Sequence, residues 1–268
     1  MTLQDFCRKI QLDDAAMDIT CSFAISDNEM AELRDLFYRD TEAFNNCINA
    51  KPQPAQWYLV LYVRFASLLE EEYAIKRISE AIYIDTFSDI SIWEKECFEQ
   101  TGKHGLLEIQ WLAKHLKLEL FRLGRLQFEP ISFPPELEKA TDSPQEDKVL
   151  NVHIPKGAPL KEQVIADSYG QAMDFWGLKQ AVFVCHSWLI SPMLKELLPP
   201  TANILTFQKD YELAMIDWEC RQAEERIFGY ISDDIDSYPE NTGLQKSVKA
   251  WLKSGQKIPA GWGVYRYK

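Results

Sequence analysis

Residues 149–153 read VLNVH and residues 181–186 read AVFVCH, and these two short apolar runs decide the fold of the chain. Both are typical of buried β-strands, and residues 160–176 between them have the apolar spacing of a helix. A strand, a helix and a second strand in this order predict parallel pairing with a crossover helix. His153 and His186, the last residues of the two runs, are therefore expected at the same edge of a sheet.

Short elements continue toward the carboxyl end of the chain. Five are predicted from apolar spacing and flanking turn residues: a helix at Pro192–Leu198, a strand at Ile204–Phe207, helices at Trp218–Phe228 and Leu244–Lys253, and a strand at Gly263–Tyr267. Before residue 149, prolines and acidic residues from Pro130 to Asp147 predict a surface loop.

The apolar spacing changes from helical to alternating at Lys117. The alternation predicts a β-hairpin from Leu118 to Glu129, with Gly124 as its turn or bulge. Four side chains are expected on the core face of this hairpin: Phe121, Leu123, Leu126 and Phe128. The opposite face is polar and carries Arg122, Arg125, Gln127 and Glu129.

The residues before the hairpin have helical patterns. A capping-box signature at Ser26 precedes one helix, and Pro54 stands where the next would begin, ahead of a segment that is apolar on every face. Ser88 or Asp89 is a candidate cap for a third helix, and residues 106–116 repeat the helical spacing.

The predicted fold class is therefore α/β (α+β), with an all-helical domain at residues 1–116 followed by a mixed-sheet α/β domain at residues 117–268. A hydrophobic content of 46% is enough for a buried core, which excludes disorder of the whole chain. The net charge of −12 would be repelled by phosphate backbones and anionic membranes, so nucleic-acid and membrane partners are disfavoured.

The localisation expected from the sequence is cytoplasmic. The first residues have neither the basic nor the apolar region of a signal peptide, and the longest apolar stretch, Trp57–Val63, is too short to span a bilayer. The six cysteines form no CxxC pair and are expected to be reduced thiols, mostly buried.

The first candidate site follows the strand at residues 149–153. Ile154-Pro155-Lys156-Gly157-Ala158-Pro159 leads into the helix that begins near Leu160, and free N–H groups at a helix N-terminus bind anions. Lys156 and Lys161 would add positive charge. The alternative is a turn stiffened by its two prolines, which lack N–H donors.

The second candidate site is the end of the strand at residues 181–186. His153 and His186 occupy equivalent positions at the edge where open α/β sheets bind ligands, although single histidines are more often structural. Cys185 and His186 are adjacent strand residues that face opposite sides, so they cannot form a nucleophile–base pair. Ser187 is a candidate for substrate binding, and to act as a nucleophile it would need an activating residue from elsewhere in the chain.

The third candidate site is the polar face of the hairpin. Arg122 and Arg125 would hold a carboxylate or phosphate, with Gln127 beside them and Glu129 as a base, unless this is only the solvated face of the hairpin. Nothing around the remaining histidines, His104 and His115, suggests metal ligation, and no metal is expected. HExxH, GxSxG, Walker and GxGxxG patterns do not occur.

Several runs of these residues resemble a bacterial family called acyltransferase-domain-containing proteins. They are FRLGRLQFE at 121–129, HIPKGAPL at 153–160, FVCHSWL at 183–189, and LLPPTANI at 197–204 with Phe207 after it. The resemblance covers nearly the whole chain. It implies a helical N-terminal domain joined to a C-terminal domain of GNAT-like fold.

The resemblance also implies a function, the transfer of an acyl group from acyl-coenzyme A to the amine or hydroxyl of a small molecule. Glu129, His153 or His186 would be the base, and the arginines would hold the acceptor. The coenzyme A pyrophosphate would lie on the loop and helix start: Lys156, Gly157, Ala158, Leu160 and Lys161. The loop reads PKGAP where GNAT enzymes have Arg/Gln-x-x-Gly-x-Gly/Ala.

Two other functions remain open from the residues alone. One is a ligand-binding module that has the fold without the coenzyme A loop. The other is a hydrolase, or another enzyme, that uses the two histidines without coenzyme A. The oligomeric state cannot be inferred from the sequence.

Overall fold

Eight helices precede the first strand in the structure, a computed structural model that describes residues 1–138 and 149–267. They are α1 (Leu3–Lys9), α2 (Asp14–Ser22), α3 (Asp27–Arg39), α4 (Thr41–Asn49), α5 (Pro54–Ser67), α6 (Glu70–Ile75), α7 (Glu80–Thr101) and α8 (Ile109–Leu116). This part of the chain, all of which is described, contains no strand before Phe121, so the predicted helical N-terminal region is confirmed.

Two of these helices begin where the sequence predicts. The Ser26 side chain accepts a hydrogen bond from the Glu29 N–H and caps α3. Pro54 is the first residue of α5, where its missing N–H costs nothing. Residues 58–63 of α5 are all buried, because this helix is apolar on every face.

The helix start predicted at Ser88 or Asp89 is wrong. Both residues lie in the middle of α7, whose cap is Ser79. Ser79 accepts a hydrogen bond from the Ile82 N–H, whereas Ser88 donates back to a carbonyl of its own helix. The Asp89 carboxylate accepts hydrogen bonds from two indole N–H groups, so neither mid-helix polar residue disturbs the backbone.

The second half of the chain is built on a mixed six-stranded sheet, as predicted. Its strands are β1 (Phe121–Leu123), β2 (Leu126–Ile131), β3 (Val149–His153), β4 (Ala181–Ser187), β5 (Glu212–Asp217) and β6 (Ala260–Tyr267), in the order β1-β2-β3-β4-β6-β5. β3 and β4 are parallel, and the pairs β2–β3, β4–β6 and β5–β6 are antiparallel. The parallel pair is the one that the opening sequence runs predict.

Among the described residues that follow β2, at 132–138 and 149–267, six helices accompany the sheet: α9 (Pro135–Glu138), α10 (Glu162–Trp176), α11 (Leu194–Leu197), α12 (Asn203–Gln208), α13 (Gln222–Phe228) and α14 (Gly243–Lys253). Short 3₁₀ turns lie at Trp188–Ile190 and Ile235–Ser237. In the region of the predicted surface loop, Pro130 belongs to β2, and residues 139–148 lie outside the described residues.

The strand predicted at Ile204–Phe207 is wrong, because these residues form α12. A run of four residues is too short for its apolar spacing to distinguish a helix from a strand. The strand that was missed is β5, which follows directly. It lies at the edge of the sheet, is only partly buried and carries a register shift between Leu213 and Met215, so it has no clear alternation.

The two faces of the sheet are packed differently. One face carries aromatic rings against α10, with Phe183 at contact distance from Phe128, Tyr169 and Tyr265. The other carries a smaller aliphatic cluster formed by Leu137, Val149, Val182, Val184 and Val264. The chain divides into two compact units, Met1–Leu123 and Gly124–Lys268.

Candidate active site

The parallel strands β3 and β4 pair over only part of their length. The ladder joins Val149 to Val182, Leu150 to Phe183 and Asn151 to Val184, and it ends there. β3 nevertheless continues to His153 and β4 to Ser187. The carboxyl ends of the two strands therefore run on beyond their shared ladder and leave a seam between them.

Both predicted histidines lie at this seam and on one face of the sheet. Asn151 and Val184 are paired, and His153 and His186 each follow two residues later, so the pleat places all four side chains on the same side. This is also the face of the aliphatic cluster, which contains Val184.

His153 is held by polar neighbours on β2 and β3. Its Nε2 atom lies 3.1 Å from the Glu129 Oε2 atom and 3.1 Å from the Asn151 Nδ2 atom. Glu129 comes to the site because it is paired with Asn151 across the antiparallel β2–β3 ladder. The structure thus brings together two of the three predicted bases, Glu129 and His153.

His186 has a different environment. Its ring stacks on the Trp262 indole at a centroid distance of 4.4 Å and an interplanar angle of 15°. Its buried Nε2 atom lies 3.4 Å from Asp217 Oδ2, which is close enough for charge attraction but is not aligned as a hydrogen bond. Burial lowers the pKa of His186, and the nearby Asp217 carboxylate opposes that shift.

Asp217 is a site residue that the sequence analysis missed. It ends β5, the strand that was not predicted, and β5 reaches His186 only through β6. Its Oδ1 atom accepts hydrogen bonds from the backbone N–H groups of Glu219 and Cys220. The available signal was the apolar run at residues 213–216 directly before Asp217, but this signal could not be interpreted without recognising β5 as a strand.

The predicted anion loop is braced from the hairpin turn. The Arg125 Nε–H donates a 2.6 Å hydrogen bond to the Ala158 carbonyl, and the Arg125 backbone N–H donates to the Ser168 hydroxyl on α10. Arg125 is only 7% exposed. Its guanidinium is therefore engaged with the loop itself.

The helix after this loop presents an open N-terminus. Lys161 is the cap residue of α10, and its side chain makes no capping hydrogen bond. The N–H groups of the first turn carry the positive end of the helix dipole, and Lys156 and Lys161 are exposed beside them. Glu162, the first helical residue, places one negative charge there.

The remaining predicted site residues have structural partners. Arg122 Nη1 donates to the Ser88 hydroxyl at 3.2 Å, and Gln127 is 1% exposed. The Ser187 hydroxyl accepts a hydrogen bond from the Leu189 N–H and begins the 3₁₀ turn. Cys185 is fully buried, and burial raises the pKa of its thiol well above the usual range. Cys185 is thus unsuited to nucleophilic chemistry.

A mixed sheet whose central parallel strands continue beyond their shared ladder, followed by a loop and an open helix N-terminus, is typical of the GNAT-like class. The family described as the GNAT-like C-terminal domain matches residues 120–265, and the chain belongs to it. The N-acyltransferase N-terminal domain matches residues 1–118, so the resemblance found in the sequence is confirmed.

Solved structures with the same fold carry acyl-coenzyme A. An acyltransferase in complex with decanoyl-CoA and teicoplanin is 20% identical, with a TM-score of 0.77 over 98% of this chain and 87% of that one. A mutant acyltransferase in complex with octanoyl-CoA is 19% identical, with the same TM-score and coverage. The fold is therefore that of an N-acyltransferase. No curated protein matches the chain.

No helix of the described residues combines the length and the apolar character needed to cross a membrane.

Proposed function

We propose that this protein is an acyl-coenzyme A-dependent N-acyltransferase that acylates the amine of a small molecule. The observation that carries the proposal is the seam between β3 and β4, where the ladder ends at Asn151 and Val184 although both strands continue. Strand edges without a ladder partner offer backbone N–H and C=O groups. An extended thioester arm can pair with them as an added strand would.

Coenzyme A would enter this seam from the side of α10. Its pyrophosphate would lie against the uncapped first turn of α10, next to Lys156 and Lys161, which is the position that the sequence predicts. The Arg125 hydrogen bond to the Ala158 carbonyl would hold the loop in place for it. In this proposal Arg125 positions the loop and does not bind the acceptor.

Transfer requires an amine nitrogen that has lost its proton. The amine attacks the thioester carbonyl, the carbon–sulfur bond breaks, and coenzyme A leaves as the thiolate, which takes up the proton that the amine has given to the base. Strand N–H groups at the seam would stabilise the oxyanion that forms on the carbonyl oxygen. One proton must pass from the amine to a base on the protein.

His186 is the best placed base. Its Nε2 atom faces Asp217, whose carboxylate orients the ring and stabilises the imidazolium, as in other histidine–carboxylate pairs. Its Nδ1 atom makes no hydrogen bond to the described residues and so can accept the amine proton. Catalytic hydrogen bonds are often long before substrate binds, which agrees with the 3.4 Å between His186 and Asp217. His153, already engaged by Glu129 and Asn151, would orient the acceptor.

The solved structures with the same fold support this choice of donor and acceptor. They contain decanoyl- or octanoyl-coenzyme A, and one contains teicoplanin as well. The family description of residues 1–118 names N-acyl transfer, which favours an amine over a hydroxyl.

The test is release of free coenzyme A thiol from acetyl-, octanoyl- and decanoyl-coenzyme A in the presence of a panel of small amines. Asp217→Asn should lower kcat by about 10²-fold or more, because it removes the charge that stabilises the imidazolium. Glu219→Gln is the matched control, since this side chain is 90% exposed two residues away, and it should leave kcat unchanged.

Binding and turnover separate this proposal from the alternative of a non-catalytic module. An enzyme should show both a rise in Tm with acyl-coenzyme A and amine-dependent thiol release. A rise in Tm without turnover on any amine would favour the binding module. Absence of any rise in Tm with all three thioesters would refute coenzyme A binding and the proposal with it.

A further inference from the structure

Three potential metal ligands converge at the end of β4. The His186 imidazole nitrogen, an Asp217 carboxylate oxygen and the Cys220 sulfur all lie within 4.8 Å of one another. All three residues are half-buried. No metal pattern is visible in the sequence here, because the ligands come from two strands and a turn that only the sheet brings together.

The cluster is held in place by its surroundings. Trp262 stacks on the His186 ring and fixes its plane. Asp217 Oδ1 accepts the backbone N–H groups of Glu219 and Cys220, which fixes the turn and leaves Oδ2 toward His186. Supporting contacts of this kind orient the ligands in protein metal sites. The buried Nε2 atom, which no aligned hydrogen bond satisfies, points into the cluster.

We infer that His186, Asp217 and Cys220 form a binding site for a divalent transition-metal cation of the zinc class. Imidazole nitrogen, thiolate sulfur and carboxylate oxygen are the ligands that zinc takes in proteins. Calcium and magnesium are disfavoured, since both require mainly oxygen ligands and this cluster offers a single carboxylate. Three protein ligands leave the fourth tetrahedral position to water.

The site has a consequence for the reaction, which rests on the proposed function. A metal ion on Nε2 binds through the lone pair of that nitrogen, so the single proton of the neutral ring must move from Nε2 to Nδ1. Nδ1 is then a donor and can no longer accept a proton from the amine. The Cys220 thiol proton is released to solvent as the thiolate binds. Zinc binding and base catalysis by His186 therefore exclude each other.

The site is tested by titration of metal-free, fully reduced protein with Co²⁺, followed by the near-ultraviolet absorption of a cobalt–thiolate bond. Wild-type protein should develop this band with a stoichiometry of one, and Zn²⁺ should displace it. Cys220→Ser should abolish the band. Cys47→Ser, which changes an exposed cysteine, is the matched control and should retain it. Absence of the band in wild-type protein, or its persistence in Cys220→Ser, would overturn the site.

The consequence is tested by acyl transfer with and without Zn²⁺. Zinc should inhibit the wild-type enzyme at least tenfold, a chelator should restore activity, and Cys220→Ser should be active and much less sensitive to zinc. Equal activity of zinc-loaded and metal-free wild type would refute the mutual exclusion. Since the cobalt band does not depend on turnover, a protein without transferase activity would still confirm or refute the metal site.

Discussion

At the scale of single residues, Arg125 in the hairpin turn shows that a residue type can indicate a chemical role without indicating which group its side chain contacts. Arg125 was predicted to contact a ligand, because a guanidinium on a polar face suits a carboxylate or phosphate. In the structure it is buried and donates to the Ala158 carbonyl. The alternation of the hairpin could not show this, since the partner lies 33 residues away in a loop.

Gly124, next to Arg125, allows a prediction that does not depend on function. Its φ is +68°, and a Cβ there would lie 2.8 Å from the Ser168 hydroxyl. Gly124→Ala should cost about 1–2 kcal/mol for the left-handed backbone. It should cost about 1 kcal/mol more for displacing Ser168, which accepts the Arg125 N–H. The free energy of unfolding, measured with urea, checks this.

The matched control is Gly255→Ala. Gly255 also has a positive φ, +82°, but an added Cβ would meet nothing within 4 Å. Gly255→Ala should therefore lower the free energy of unfolding only by the cost of the left-handed backbone, about 1–2 kcal/mol. Equal losses for the two variants would show that the contact with Ser168 contributes nothing.

At the scale of elements, the sequence predicts the longer helices and five of the six described strands, but it does not single out α1, α2, α4, α6 or α9, assigns α12 as a strand and misses β5. Those predicted have long periodic segments or a strong cap, as in α3 and α5. The failures are the short α12 and the edge strand β5, whose pattern is too short or too irregular to read. Missing β5 had the larger consequence for the site, since β5 carries Asp217.

The corrected start of α7 yields a second prediction. Ser79→Ala removes the hydroxyl that accepts the Ile82 N–H and should destabilise the protein by about 1 kcal/mol. Ser88→Ala is the comparison, because Ser88 lies inside the helix, where its hydroxyl donates to the Asp85 carbonyl and accepts from Arg122 Nη1. It should cost less than Ser79→Ala because no helix terminus loses its cap, and thermal unfolding of both variants measures the difference. A larger loss in Ser88→Ala than in Ser79→Ala would contradict the assignment of the cap.

At the scale of the whole molecule, stability should depend on pH through the partly buried Arg221–Glu224 ion pair of the second unit. Burial alone would raise the pKa of Glu224, but hydrogen bonds from Arg221 and Tyr238 lower it below its ordinary value of 4.5. A carboxyl with a lowered pKa stabilises the folded state above its unfolded pKa. That contribution is lost as the pH falls through the folded value.

Glu224→Gln should therefore destabilise the protein by about 2 kcal/mol at pH 7, since Arg221 and Tyr238 lose a charged acceptor. The difference from wild type should shrink as the pH falls below 4.5, where the wild-type carboxyl also becomes protonated. Glu225→Gln changes the exposed neighbour and should have no such effect. Urea unfolding across this pH range is the measurement, and a difference independent of pH would contradict the assignment.

The candidate site was predictable only in part. The shared edge of the two histidines was predicted because the strand–helix–strand pattern requires both strands to end there. The nearness of Glu129 follows from alternation, which places it on the polar face of its strand, and from the pairing of β2 with β3. These inferences need only local periodicity and the rules for connecting strands.

The sequence by itself determined the helical first half, the order of elements in the second half apart from α9, α12 and β5, the parallel pair β3–β4 and the family. Tertiary structure decided which partner each side chain has. Insertion of β6 between β4 and β5 brings Asp217 and Cys220 to His186, and strand order in a sheet follows from non-local pairing. The register at which β3 and β4 part is likewise set by packing of the whole sheet. Local sequence patterns carry no information on the strand order or on this register, because both depend on contacts between residues far apart in the chain.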